Sequence, residues 1–275
     1  DLLVTNSSGT TNFLYHNERN GTFQRITAWF LVSAVLWIAG GLAAQEARLG
    51  LWAAAMALEL AGPASGFFVP GLGRAQTTDW DISGAHMAER CGLFIIIALG
   101  ESILVTGGPF AQLEWTWVTG AAFLVAVVGS IAMWWIYFNV GAEASSHLIA
   151  RSADPGRVAR IAYTYLHLPI VGGIILAAVG DEFLLAHPEG HVDARIAIAV
   201  AGGAALYLVG NVLFKRAALG YWPLSHLAGL ALLVVITSLM SIETPLTMGA
   251  AVAGVLVVVA TWETRFALKA PAAGR

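Results

Sequence analysis

Charge is scarce in this sequence. Asp, Glu, Lys and Arg make up 11% of its 275 residues, where a soluble domain carries about a quarter. With 58% hydrophobic residues and a mean hydropathy of +0.74, the composition is that of a membrane protein. A net charge of -3 and a pI near 6.2 leave no basic footprint, so nucleic acid is not expected as a partner. Cysteine is nearly absent. Cys91 stands alone, which excludes an intrachain disulfide, a thiolate cluster and a CxxC metal site. There is no metal-protease pair, P-loop, nucleophile elbow or dinucleotide fingerprint. No cofactor or metal is therefore expected, nothing names an enzymatic reaction, and a non-enzymatic role is preferred.

Long apolar runs, separated by short polar, Gly or Pro clusters, fill the space that charge leaves. Each spanning helix needs about 20 mainly apolar residues. Eight such runs are predicted, over residues 26–44, 49–71, 86–107, 116–138, 158–180, 192–214, 223–242 and 245–262. They are too long for strands and lack period-two alternation, so helices satisfy their backbones in lipid. The fold expected is an all-α bundle of transmembrane helices over residues 26–262, followed by a cytoplasmic tail, 263–275. Residues 1–25, polar and without a signal-peptide pattern, read as a linker or a truncated end. Asn6-Ser7-Ser8 and Asn20-Gly21-Thr22 match a glycosylation acceptor, a pattern short enough to arise by chance.

The basic residues orient this bundle. With eight spans, the two tails and the second, fourth and sixth loops share one side and hold eleven Lys and Arg, among them Arg74, Arg157, Lys215 and Arg216. The other side holds Arg48 and Arg195. By the positive-inside rule the richer side is cytoplasmic, which places both ends of the chain there.

Four ionisable groups crowd the third span, "HMAERCGLFIIIALGES". At about 100° per residue His86, Arg90, Leu93, Ile97 and Glu101 fall within an arc of roughly 80°, with Glu89 beside it. The 15 positions from His86 to Glu101 cover roughly 22 Å, most of the hydrocarbon thickness. Arg90 and Glu101 need partners on other helices, because a charge near the bilayer centre costs at least about 2.5 kcal/mol. His86 and Glu89 either line a polar path or snorkel to the headgroups.

Two further spans combine a polar group with proline. In "ALELAGPASGFF" Glu59 lies near the expected midplane, and Pro63 crowds its carbonyl and withholds a donor. Carboxyl and freed carbonyl together suit cation coordination or proton relay, as in the broken helices of transporters; hydrogen bonding within the bundle is the structural alternative. In "IAYTYLHLPIVGGIILAAVGDE" Pro169 frees the carbonyl of Tyr165 beside His167. His167 is then either a proton carrier or a structural histidine. "GLFIIIALGE" and "GGIILAAVGD" also echo one another, a resemblance that apolar sequences produce easily.

The blocks "GPASGFFVPGLGRAQTTDW", "HMAERCGLFIIIALGESILVTG", "DPGRVARIAYTYLHLPIVGGIILAAVGDE" and "LFKRAALGYWPLSHLAGLAL", in this order and spacing, resemble the bacterial low temperature requirement protein A family. The resemblance runs from about residue 22 to residue 263. It implies a polytopic helical inner-membrane protein, from a family named for a growth phenotype rather than an activity. It carries over His86, Glu89, Arg90 and Glu101 as motif residues without assigned roles, and it implies further helices upstream of those present here. The leading expectation is secondary transport of a small solute or ion, coupled to protons, along a polar path formed by Glu59, His86, Glu89, Arg90, Glu101 and His167 with helix breaks at Pro63 and Pro169. The alternative is a non-catalytic membrane scaffold or low-temperature stress-adaptation protein. Expected partners are the lipid bilayer, the solute or ion, the upstream helices and a second copy in a homo-oligomer.

Overall fold

A computed structural model describes residues 3–5, 11–13, 21–77, 84–139, 154–239 and 244–269. Most of the expected segment 1–25, the asparagines of both glycosylation triplets, Arg151 and the tail beyond 269 lie outside the described residues. The chain divides into two compact units, Asp1–Trp80 and Asp81–Arg275.

The first unit is a helical hairpin of α1 (Thr22–Leu42) and α2 (Gln45–Ala64), preceded by a short antiparallel pairing of Leu3–Thr5 with Thr11–Phe13. Gly40 lets α1 lie against the ring of Trp52, where a Cβ would collide with the indole. Pro63 is the penultimate residue of α2 and closes the helix instead of interrupting a span that was expected to run on to 71. The chain then folds back through residues 65–75. Arg25 donates to the Leu72 carbonyl at 2.8 Å and Trp29 to that of Phe68 at 3.0 Å, fastening this loop to α1.

The second unit contains α3 (Gly84–Phe110) and α4 (Trp117–Phe138). In α5, Pro155–Ala159, a π turn over Arg160–Tyr165 and His167–Ala186 run in series. In α6, Ala194–Ala197, a π turn over Ile198–Gly202 and Gly203–Leu219 do the same. Helices α7 (Leu224–Leu239) and α8 (Pro245–Lys269) complete it. Side chains cap the helix starts: Thr116 accepts from Thr119 N, Asp154 from Arg157 N and Asp193 from Ile196 N, satisfying first-turn donors that have no partner within the helix.

Helices α5 and α6 pack most intimately, in an antiparallel register of Ile170 against Gly210, Gly173 against Tyr207, Ala177 against Gly203 and Gly180 against Val200. A Cβ on any of the four glycines would strike the facing backbone. Small residues take the place of the hydrophobic effect here, since lipid offers helices no aversion to escape and close backbone contact supplies the attraction. Tyr137, Ile170, Ile174, Tyr207, Leu208 and Phe214 fill the centre.

The eight helical segments among the described residues follow the eight expected spans in order. By length and composition six can cross a membrane. The exceptions are α2, which carries Glu46, Arg48 and Glu59, and α7, whose 16 described residues fall short of about 20. At the other extreme α8 runs to Lys269, past the boundary expected at 262.

Candidate functional site

Glu59 is held within the first unit. Its Oε1 accepts from Ser33 Oγ at 2.8 Å and from Trp37 Nε1 at 2.9 Å, both on α1. Ser33 is buried and Glu59 half-buried. A carboxylate with two donors on one oxygen ties α2 to α1, and with Pro63 at the helix end it does not sit beside a break in mid-helix.

The charged arc of α3 forms as expected but faces outward. His86, Glu89, Arg90 and Glu101 lie on the exposed surface of the helix. The opposite seam, Ala88, Gly92, Ile95, Leu99, Ser102 and Thr106, is buried, at alternating steps of four and three residues. These smaller and apolar groups pack against the neighbouring helices. Within the second unit the four charged residues therefore do not line an interior path.

His167 lies in an aromatic enclosure. Its ring stacks on Tyr163 with centroids 5.3 Å apart and meets Phe214 edge-on at 5.0 Å. The π turn presents the carbonyl of Ala162, 2.9 Å from Nδ1, while Tyr137 Oη lies 2.8 Å from Nε2. Since a carbonyl can only accept, Nδ1 carries the proton and Nε2 accepts from the Tyr137 hydroxyl. Both ring nitrogens are satisfied, and the structure does not bring His167 to the charged face of α3.

The densest polar cluster among the described residues of the second unit joins Lys215, counted above as a loop cation, with two residues that carried no expectation. Lys215 near the end of α6, His226 at the start of α7 and Glu263 near the end of α8 are all buried. Lys215 Nζ donates to Glu263 Oε1 in a salt bridge and lies 3.2 Å from His226 Nε2. With Lys215 as donor, Nε2 of His226 accepts, which leaves the Nδ1 proton facing Ser225 Oγ at 3.1 Å. Glu263 Oε2 is 4.0 Å from His226 Nε2 and is a buried oxygen without a hydrogen-bond partner among the described residues. One cation thus stands between two proton-accepting groups, an arrangement in which a proton can change place among three side chains without bulk water.

A polar face of α6 leads to this cluster. Tyr207, Asn211 and Lys215, all buried, recur every four residues; with Ala204 they fall within an arc of roughly 80°. Asn211 donates to the Tyr207 carbonyl at 2.9 Å, while its Oδ1 has no partner among the described residues. The available sequence signal was this spacing in "AALYLVGNVLFKR", whose final Lys-Arg pair reads as a loop because α6 continues farther than its apolar run.

The sequence profile of a family described as bacterial low temperature requirement A protein matches residues 4–261. An uncharacterized protein of Rhizobium meliloti is 41% identical over 246 residues, covering 88% of this chain. The chain spans 59% of that relative's length. No solved structure matches.

Proposed function

We propose that this chain, which belongs to the bacterial low temperature requirement A family, moves a proton across the membrane together with a small solute or ion. In this reading the membrane is the bacterial cytoplasmic membrane, and both ends of the chain are cytoplasmic. The observation that carries the proposal is the buried cluster of Lys215, Glu263 and His226. A buried ion pair is generally no more stabilising than apolar residues of similar volume. Three ionisable groups assembled inside an apolar bundle are thus weakly accounted for by packing. Ionisable residues within spanning segments commonly mark ion paths and proton relays. Proton loading at Glu263, with release of its hold on Lys215, would link the protonation state to the contact between α6 and α8.

The test is flux across liposomes holding an internal pH dye and the reconstituted full-length protein. A solute gradient from a broad panel should drive proton movement. Glu263→Gln keeps an acceptor for Lys215 but cannot titrate, and it should abolish the coupling in a protein that still folds. Glu59→Gln, which preserves the acceptor for Ser33 and Trp37, should transport normally. Silence of the wild-type protein across the panel, or undiminished coupling in Glu263→Gln, would remove the proposal and favour the membrane scaffold.

A further inference from the structure

A cavity of about 30 Å³ lies within the second unit, lined by residues that include Asp181, Val200, Met133 and Ala204. This is room for one or two water molecules. Asp181 is the one ionisable residue in its lining. The cavity occupies the half of the bundle away from Lys215: Asp181 is near the end of α5, one residue beyond Gly180, which packs on Val200 near the start of α6. From Ala199, next to Val200, to Lys215 is 16 positions along α6, or roughly 24 Å, most of the hydrocarbon thickness.

Between the two sites stands Tyr207. Met133 lines the cavity, as does Ala204, which of the α6 lining residues is the nearer to Lys215 along the helix. Tyr207 follows Ala204 by one turn on the same face and donates its hydroxyl proton to the Met133 carbonyl at 2.5 Å. Beyond it lie Asn211 and then Lys215 with Glu263. Two orphaned acceptors, Asn211 Oδ1 and Glu263 Oε2, occur on this far side, where a donor arriving past Tyr207 would find them. At the cavity the π turn Ile198–Gly202 widens α6, a distortion often found at functional sites.

We propose that the cavity beside Asp181 is a water-filled proton inlet and that Tyr207, bonded to the Met133 carbonyl, is the gate between this inlet and the Lys215–Glu263–His226 cluster. The proposal rests on the proton-coupled reading above and adds to it a second station and a barrier. A proton from water on the Asp181 side joins the Asp181 carboxylate and passes to water in the cavity. When Tyr207 releases Met133, water drawn past it and held by the Asn211 amide oxygen carries the proton on to Glu263 Oε2. The other face of the cluster later returns it to water, so no proton is gained or lost overall.

The inlet and the gate are tested separately on the full-length protein. Hydroxyl radicals generated within internal water by an X-ray pulse oxidise a neighbouring methionine, so Met133 should be labelled despite being buried. Asp181→Leu, which removes the carboxylate that would retain the water, should abolish that labelling. In liposomes Tyr207→Phe should raise proton leak without solute about five- to tenfold, the population shift expected when one hydrogen bond holding a closed state is lost. Adding Asp181→Asn should return the leak to the wild-type level. An unlabelled Met133, or an unchanged leak in Tyr207→Phe, overturns the proposal even if the wild-type protein transports. Labelled Met133 with a raised leak in Tyr207→Phe, in a protein whose solute panel shows no coupled flux, upholds the inlet and gate while discarding the coupled-transport reading.

Discussion

At the scale of single residues, the contrast between Glu59 and Glu263 is informative. Both are carboxylates in helices of an apolar chain. Glu59 receives two neutral donors from one adjacent helix, whereas Glu263 is paired with a charge. Removing one side of a buried ion pair strands the other. Glu263→Leu alone should therefore lower stability by about 3 to 5 kcal/mol, whereas Lys215→Met combined with Glu263→Leu should recover most of that loss. Chemical denaturation of detergent-purified protein measures both. A double variant as unstable as the single one would show that the pair is structurally irreplaceable, and the double variant should in any event lack proton coupling. Sequence alone favoured Glu59 because its surroundings are plainly apolar. It concealed Lys215 because a Lys-Arg pair after an apolar run has the appearance of a helix end. Whether such a lysine points into the bundle depends on His226 and Glu263, which are distant in sequence and meet it only after α6, α7 and α8 have packed.

At the scale of helices, the order and approximate extent of all eight segments were legible, because long apolar runs in lipid have few alternatives to helix. Direction was harder. Periodicity places His86, Arg90 and Glu101 on one face of α3, but it does not say whether that face turns inward; the packing seam from Ala88 to Thr106 decides it. The echo between α3 and α5 shows the same limit, since Glu101 is exposed while Asp181 lines a cavity. The register of the packing glycines was not legible either, because it depends on which faces of α5 and α6 meet. That register supplies a test: Gly203→Ala places a Cβ against the backbone of Ala177 and should cost about 1 to 3 kcal/mol as an overpacked contact. At Gly254 nothing lies within 4 Å of the added Cβ. Gly254→Ala should be neutral or stabilising by up to about 1 kcal/mol through its helix propensity. Equal effects of the two substitutions in the denaturation assay would contradict the close α5–α6 contact.

For the molecule as a whole, the uneven distribution of basic residues predicts an orientation, with two revisions. Lys215 is buried in the ion pair and Arg25 against the loop that follows α2, so neither counts as a loop cation and the richer side retains nine. Nine against two remains a strong bias, and it predicts a cytoplasmic α6–α7 connection with the α3–α4 and α5–α6 connections outside. Gln112 and Glu189 are exposed in the latter two connections, and Tyr221 is exposed in the former. In a Cys91→Ser background, Gln112→Cys and Glu189→Cys should therefore react with a membrane-impermeant thiol reagent added to intact cells. Tyr221→Cys should react only after lysis. The outcome also fixes the direction of the proton path, because the Asp181 cavity lies towards the α5–α6 connection and the Lys215 cluster towards the α6–α7 connection. Labelling of Tyr221→Cys from outside would invert the orientation. The Asp181 inlet would then face the cytoplasm, and the same groups would have to load protons from the opposite side.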